Sequence, residues 1–413
     1  MRASSLLGAL LGIKGMVVSG FRAEAGALVV AVRPRWERPR CSHCGRKGRS
    51  AYDERGDRRW RHLDFGGVRV ELSYGLRRVD CEHCGVVAER VPWSADPVSR
   101  FTTEFEEQTA WMAQRMDKTG VQKLMGVAWR SVGRIVERVV ARLRPRGSMA
   151  TLRAIGVDEL AYRKQHHYVT LVTDHDTGRM VWGKEGRSAE TLVALFDGLG
   201  AEKCAAIEVV TMDMSGAYIK AVRDKLPQAQ IVFDRFHVQR LASDALDETR
   251  RSAWREHKGT AEGDGIKHMR WVLLKNRESL KEDEVARLGA LEQANAPLYR
   301  GYLLKESLGD ILGRKQINVM SRELSHWIDD ARASGLAAFA RVAGTIETHF
   351  DGIVAYARWR LSNGVVEGLN NKARLLTRRA YGFHSAASVL AMIELCCGGI
   401  DLEPVSKTLP IPA

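Results

Sequence analysis

The sequence predicts a multidomain α/β protein in which a mixed sheet, interrupted by an all-helical insertion, follows a small metal-binding module and a set of short helices. Three observations predict it. Between residues 152 and 238 short apolar segments alternate with helical periodicity; from 239 to 350 the pattern is helical, charged and without strand signals; and two Cys-x-x-Cys pairs stand ahead of both. A chain of 413 residues with 45% apolar and 28% charged positions has room for two or three folded cores. Its 64 Lys and Arg against 50 Asp and Glu leave a formal charge of +14, a field that draws polyanions. Nucleic acid is therefore the leading partner class, and a merely basic soluble protein the alternative. No apolar run approaches the roughly 18 to 20 residues of a membrane span, which predicts a soluble chain with no membrane partner. The opening MRASSLLGALLGIKG reads as the first element of the fold, because Lys14 interrupts the apolar run and no small-x-small cleavage site follows. Seven cysteines, four of them in the two pairs, suit metal binding in a reducing compartment, hence the cytoplasm and its nucleoid, better than a disulfide framework.

Residues 1–98 hold the pairs CSHC (Cys41, Cys44) and CEHC (Cys81, Cys84), each followed by glycine. Between them RWRHLDFGGVRVELSY alternates as two strands turning at Gly66-Gly67, a hairpin that brings the pairs together. Tetrahedral zinc takes four thiolates, and each Cys-x-x-Cys turn offers two to one ion. A zinc-ribbon-like, DNA-binding module with one structural Zn²⁺ is expected, with His43 and His83 as bystanders.

Over residues 99–147 apolar positions recur at helical spacing: Phe105, Ala110, Met112, Val121, Leu124, Val132, Ile135, Val136 and Val139. Turn signals at Thr119-Gly120 and Gly126 cut the stretch into two or three helices, the last beginning near Trp129-Arg130-Ser131 with Arg134 and Arg138 on its polar face. A helix-turn-helix puts such a helix into the major groove of DNA; a plain helical hairpin satisfies the same pattern. Pro145 and Gly147 mark a linker.

From 151 to 238 the rhythm changes. LRAIGVDEL (152–160) reads as a strand ending near Asp158, HHYVTLVTD (166–174) as a second, and RMVWG (179–183) as a third after a turn at Asp176-Thr177-Gly178. SAETLVALFDGLG (188–200) is helical, IEVVTMD (207–213) a strand ending at Asp213, SGAYIKAVRDKLP a helix, and AQIVFDRFHV (229–238) a strand carrying Asp234 and running towards His237. The order β-β-β-α-β-α-β is that of an RNase H-like fold, here the first part of a catalytic domain. The insertion, 239–350, takes Trp254, Trp271, Leu273, Leu274, Tyr299, Tyr302 and Trp327 as core or packing residues. Helices over 351–403 complete the domain, and Cys204, Cys396 and Cys397 read as buried apolar positions.

In that last segment Ser362 and Asn363 are helix caps and apolar residues recur at Val365, Leu369, Ala373 and Leu376. The opposite face carries Asn363, Glu367, Asn370 or Asn371, Arg374 and Arg378, with Lys372 alongside, groups suited to phosphate apart from the one acid. Alone, Glu367 reads as an ion-pair partner for Arg374 or Lys372. Asp158 and Asp213 alter that reading, because both stand near the ends of strands expected to be neighbours, where an open α/β sheet presents its ligand-binding groups. Three carboxylates brought together repel one another unless a cation lies among them, so the cluster implies a hard divalent ion, Mg²⁺ or Mn²⁺. Two such ions roughly 4 Å apart clamp an in-line phosphoryl displacement, and the basic surround suits the backbone of DNA. Glu159 competes with Asp158, since strand alternation puts only one of the two on the active face; Asp174 and Asp176 read as turn residues.

The signatures GVDE (156–159), TMDMSGAY (211–218), FDRFH (233–237) and SNGVVEGLNNKARLLTRRAYGF (362–383), behind the paired Cys-x-x-Cys motifs, resemble the ISL-three family of bacterial insertion-sequence transposases over most of the chain. The resemblance implies a DDE transposase with Asp158, Asp213 and Glu367 as catalytic triad and ligands of two Mg²⁺ or Mn²⁺ ions. Asp234 and His237 match an Asp-x-x-His signature and are implied as supporting or DNA-contacting residues. Also implied are binding of the element's terminal inverted repeats in double-stranded DNA, cleavage there, joining of the 3′-hydroxyl to target DNA, and action as a homodimer or higher multimer. A zinc-ribbon and helix-turn-helix regulator without catalysis, or a metal-dependent nuclease of the same fold, remain the alternatives.

Overall fold

The structure is a computed structural model that describes residues 3–48, 51–145, 147, 149–163, 166–361, 364–380 and 382–405, without the side chain of Arg55. Asn363 and Ser362 of the sequence reading lie outside the described residues. The chain forms two compact units, one of Met1–Pro145 with Leu376–Ala413, the other of Arg146–Leu375.

In the first unit the opening apolar run forms helix α1 (Ala3–Leu11), which buries Leu7 and Leu11 against a sheet. Strands β1 (Met16–Glu24) and β2 (Ala27–Pro34) pair antiparallel, and β3 (Ala51–Phe65) and β4 (Val68–Cys81) form the expected hairpin. Its turn needs the two glycines: Gly66 and Gly67 have φ of 53° and 83°, the left-handed region that a Cβ disfavours. With β5 (Gly85–Ala88) on β4, the sheet runs β1-β2-β4-β3. Alternate residues Val70 and Leu72 of β4 face a core with Val30, Val32 and Trp60, and Trp93 packs edge-on against Trp60 and Tyr74 at 5.5 and 5.4 Å. Three helices follow. Thr102 caps α2 (Thr103–Arg115), Asp117 caps α3 (Lys118–Met125), and α4 (Trp129–Leu143) buries Val132, Ile135, Val136, Val139 and Val140 at helical spacing. Leu124, expected on an apolar face, is exposed.

In the second unit β6 (Ala154–Arg163), β7 (His167–Asp174) and β8 (Arg179–Glu185) make an antiparallel meander. After α5 (Ala189–Leu199) and α6 (Ala201–Ala205), β9 (Val209–Met212) joins β6 in parallel; after α7 (Gly216–Lys225), β10 (Gln230–Phe233) joins β9 in parallel. The sheet order is β10-β9-β6-β7-β8, a mixed sheet as expected. A helical run fills the next 120 or so residues: α8 (Arg235–Glu256), α9 (Ala261–Lys267), α10 (Arg270–Leu274), α11 (Glu282–Ala294), α12 (Ala296–Leu312), α13 (Ile317–Ala333), α14 (Ala337–Thr348) and α15 (Phe350–Trp359). Leu273, Tyr302 and Trp327 are buried in its core, whereas Trp271 is 68% exposed. Lys305, 1% exposed, donates its ammonium hydrogens to the carbonyls of Leu273 and Lys275 at 3.1 and 2.7 Å and pairs with Glu306, which ties α12 to the end of α10.

Helix α16 (Gly364–Arg379) contains the boundary between the units, and α17 (Ala386–Cys397) belongs to the first. There it packs on α4 and α2: the Gln114 amide donates to the Leu395 carbonyl at 2.8 Å, Ser388 to Glu137 at 2.9 Å, and Arg144 pairs with Glu394. Residues 351–403, read as one piece of sequence, are thus divided between the units.

Residues Ile155 and Val157 of β6 join the core shared with α5 and α7, while Ala154 packs with Tyr356 and Trp359 of α15 on the other face. That second face also receives α16. A Cβ on Gly156 would sit 2.4 Å from the Val366 side chain, so helix and strand touch where β6 has no side chain. Replacing Gly156 by Val is predicted to destabilise the protein by about 1 to 3 kcal/mol, the usual range for overpacking. A urea midpoint unchanged from wild type would contradict this contact.

Candidate active site

Strand register assembles the acidic groups. β9 pairs β6 in parallel only as far as Gly156 opposite Thr211, and β10 pairs β9 up to Phe233 opposite Met212. Continuing those ladders brings Asp158, Asp213 and Asp234 side by side where β9 and β10 end. Asp158 is therefore not at the end of its strand, as the sequence suggested; β9 beside it stops, while β6 continues to Arg163, still paired with β7. Alternation puts Asp158 on the same face as Gly156, towards α16, and Glu159 with Val157 on the other, where Arg187 approaches to 4.0 Å. Thr211, whose hydroxyl lies 3.2 Å from a Cβ built on Gly156, shares the Asp158 face, and so by parity does Asp213.

Burial, then the charge of Asp213, pushes the Asp158 carboxyl up to about 6. Opposing this, the carboxylate accepts from the Glu159 N–H at 2.7 Å and feels His237 and Arg374 nearby. Asp213 accepts from the Ser215 N–H at 3.1 Å, and Asp234 caps α8 by accepting from the Phe236 N–H at 3.1 Å. Asp234 Oδ2 also stands 3.2 Å from Nδ1 of His237, and this pairing holds the imidazole above its ordinary range, with Asp213 and Asp158 adding to the effect.

The helix laid over this edge contributes Asn370. Its amide nitrogen donates to Asp158 Oδ2, the residue is 2% exposed, and its Oδ1 is buried with no hydrogen-bond partner among the described residues. Val366 over Gly156 and Asn370 over Asp158, four apart on the helix and two apart on the strand, show that α16 runs alongside β6. Val365 faces Gly178 of the β7–β8 turn, within 3.4 Å of a Cβ built there. Glu367, about 200° further round the helix, projects from the opposite flank, the one towards β9. It is exposed, and among the described residues Asp158, Asp213 and Glu367 do not bring ligand atoms within 4.8 Å of one another. Arg374 shares the Asn370 side and reaches the exposed Asn371 at 3.5 Å; Lys372 and Arg378 are exposed. Adjacent carboxylates, one of them protonated up to about pH 6, and a buried amide oxygen without a partner form a donor set that fits a hard divalent cation. Asn370 is the residue that sequence reasoning left undecided against Asn371.

The second metal-binding group is the four cysteines. Their sulfurs all lie within 4.8 Å of one another, with Cys44 and Cys81 3.5 Å apart, against an edge of about 3.8 Å for a zinc tetrahedron. Gly45 and Gly85, at φ 73° and 69°, turn the chain back after each pair. Backbone N–H groups of His83 and Cys84 bring the Cys81 thiol down to about 7, while loss of water and the neighbouring sulfurs push Cys84 up to about 12, so four thiolates require a cation. The soft, tetrahedral donor set is that of a structural zinc site. His83 is engaged by Arg46.

On α4, Arg130 and Arg134 are exposed one turn apart. Arg138, read from the sequence as a supporting or DNA-contacting residue, pairs with the buried Glu106 at 2.6 Å, which also takes Arg142. No helix among the described residues is long and apolar enough to cross a membrane.

Residues 155–393 match the family described as transposase, residues 37–84 the zinc-finger of transposase IS204/IS1001/IS1096/IS1165, and residues 89–140 the helix-turn-helix domain of transposase family ISL3. The chain is 38% identical over 431 aligned residues to the transposase for insertion sequence element IS1557 of Mycobacterium tuberculosis, covering 97% of this chain and 96% of that protein. To the transposase for insertion sequence element IS1001 of Bordetella parapertussis it is 31% identical over 351 residues, covering 83% and 85%.

Two outcomes are expected. Metal analysis of the purified protein finds about one zinc per chain, lost together with the fold of the first unit in Cys41→Ser; a metal-free preparation with an unchanged melting curve would contradict the site. For Asp158, a raised folded-state pKa means that its stabilising protonated form is complete below about pH 4 and is lost as pH rises through about 6. Without added Mg²⁺ or Mn²⁺, wild type therefore loses up to roughly 3 kcal/mol relative to Asp158→Asn between pH 4 and pH 8. Parallel pH profiles of the two denaturation midpoints would contradict this.

Proposed function

The chain belongs to the ISL3 family of insertion-sequence transposases, with zinc-ribbon and helix-turn-helix domains, and on that premise we propose that it cuts DNA at the terminal inverted repeats of its element and joins the freed 3′-hydroxyl to target DNA. The catalytic residues are Asp158, Asp213 and Glu367 of an RNase H-like domain that lies in the second unit and is built around the insertion 239–350. Residues 1–98 and 99–147 hold the DNA ends. The observation that carries this reading is the bond from Asn370 to Asp158, since it sets the helix bearing Glu367 over the strand bearing Asp158, beside Asp213.

Asp158, Asp213 and Glu367 would hold two hard divalent ions, Mg²⁺ or Mn²⁺, which would supply Lewis acidity at the scissile phosphate and a lowered pKa for the attacking water or 3′-hydroxyl. The chain's own groups do the rest. Asp158 is restrained at both oxygens, by the Glu159 N–H and by the Asn370 amide, so its orientation is set before DNA arrives. His237, with Nδ1 turned to Asp234, offers Nε2 as a donor to a phosphate oxygen or to the departing 3′-oxygen. Arg374 on the Asn370 side of α16 and Lys372 on its other flank offset backbone charge, and Arg130 and Arg134 of α4 face the DNA ends. Glu367 would complete the ligand set with the two aspartates, and a cation among them would offset the repulsion of three carboxylates.

The test is Mg²⁺-dependent nicking of a duplex carrying the terminal repeats. Glu367→Gln abolishes cleavage at the repeat boundary while DNA affinity stays within about threefold, because a metal ligand and no phosphate contact is lost. Asn370→Ala, which frees Asp158, slows cleavage by about 10- to 100-fold. Wild-type cleavage by Glu367→Gln would overturn the triad, and binding without cleavage under any divalent ion would favour a DNA-binding regulator.

A further inference from the structure

In the first unit a lysine is buried where no acceptor meets its ammonium. Lys118, which opens α3, is 6% exposed, and burial lowers its pKa from the ordinary lysine range, with the charge of Glu137 opposing. Its Nζ lies 4.4 Å from the centre of the Trp129 ring, 5.4 Å from that of Phe383, and 3.2 Å from a Cβ built on Gly133. Among the described residues it has no hydrogen-bond acceptor and no carboxylate at ion-pair distance. Aromatic faces offset part of an ammonium's charge, but its N–H groups remain costly to hold out of water without an acceptor. A ligand that supplies the acceptor removes that cost.

Lys118 lies in the wall of a cavity of about 530 Å³, between α3, the first turns of α4 and the chain that follows α16. Arg130 and Arg134 line the same cavity, exposed and without a carboxylate partner among the described residues. Glu137, the acid in the lining, accepts from Ser388 at 2.9 Å. Helix α4 adds positive charge of its own, because Ala128 provides no side-chain cap and the first turn carries no acid. From the far end of the sequence, His384 packs edge-on against Trp129 at 5.4 Å, and Phe383, 4% exposed, covers Lys118.

We propose that this cavity is an anion site that takes one backbone phosphate of the DNA end, with Lys118 as its buried anchor and residues 383–388 as part of its wall. The proposal rests on the reading of the chain as a transposase that binds its element's ends. It places part of the DNA site outside residues 89–140, the stretch that matches the helix-turn-helix domain. Three cations against one engaged acid select an anion. A phosphodiester suits them better than a carboxylate: its two free oxygens accept from Lys118 at the floor and from an arginine at the rim, and the Trp129 ring offers an apolar wall to the flanking sugar. Gly133 keeps the ammonium open to such a ligand, since a side chain there would crowd Nζ. Exposed arginines follow a phosphate wherever it lies, whereas a lysine fixed between two rings sets its place, and with it the register of α4 on the duplex.

The test uses the full chain and duplexes carrying the terminal repeats, in which a neutral methylphosphonate replaces each backbone phosphate in turn. Wild type, Lys118→Met, Arg134→Gln and His384→Ala are compared for affinity, with salt dependence and DNA-free unfolding midpoints measured alongside. Lys118→Met keeps the volume and removes the unpaired charge, so without DNA it is expected to unfold no earlier than wild type. It binds the repeats roughly 10- to 100-fold more weakly, the range for one charge-assisted hydrogen bond. Its plot of log affinity against log salt is shallower by about 0.9, the share of one phosphate. At one position the methylphosphonate weakens wild type by a similar factor and leaves Lys118→Met unchanged. Should Lys118→Met fail to fold, Arg134→Gln and His384→Ala, both at exposed positions, decide: each loses less at that modified position than wild type does. If every methylphosphonate weakens wild type and the variants alike, the proposal is overturned and binding of the repeats stands. If, in that case, inorganic phosphate raises the unfolding midpoint of wild type and not of Lys118→Met, the cavity serves a free anion instead of DNA. If wild type binds no repeat at all, the transposase reading fails and this one with it.

Discussion

Two like charges on adjacent parallel strands, about 4.8 Å apart in the sheet, with one of them largely buried, are a costly arrangement for any fold to keep. Asp158 and Asp213 stand in it because β9 ends at Met212, one residue after its last pairing with β6, and β10 ends in step with it. Much of the second unit follows from that constraint. Asp158 retains a proton up to about 6 in the absence of a cation, Asn370 and the Glu159 N–H take up its oxygens, and His237 is drawn towards its charged form by the acids around it. The absence of a side chain at Gly156 is what lets α16 come close enough for Asn370 to reach. An acidic edge is thus assembled from register, not from a motif local in sequence.

The two metal-binding groups illustrate opposite solutions to charge. In the zinc module the ligands come from two tight turns, and backbone N–H groups aimed at Cys81 favour its thiolate before any ion is present. Soft ligands and a closed tetrahedron make such a site structural. At the sheet edge the proposed ligands are hard oxygens on separate elements, and one of them, Glu367, stays exposed and apart from the aspartates. On the proposed function such an open group would leave coordination positions for DNA, which a closed structural site does not.

Several features were legible in the sequence because their causes are local. The cysteine pairs, the hairpin at Gly66-Gly67 and the order of strands each follow from residues within a few positions of one another. The features that were not legible depend on distant partners. Arg138 reads as a surface residue on the polar face of α4 until Glu106, 32 positions earlier, is seen to hold it. Asn370 and Asn371 differ by 100° on a helical wheel, and only the line of contact between α16 and β6 decides which meets Asp158. Asp158 looked like a strand end because its neighbours' lengths cannot be read from its own segment. Trp271, expected in the core on grounds of residue type, is left open by the way α10 lies, and the return of α17 to α4 bridges some 250 residues of chain.

On the proposed function Asp158, Asp213 and Glu367 hold the same divalent cations. Loading the protein with Fe²⁺ in place of Mg²⁺ and adding ascorbate and peroxide generates radicals that cut the polypeptide next to the bound ion, and the fragments are sequenced by mass spectrometry. Cuts are expected to cluster near residues 158, 213 and 367 and to be suppressed together by excess Mg²⁺. Cuts near 158 and 213 that never extend to 367, or cuts unaffected by Mg²⁺, would contradict it.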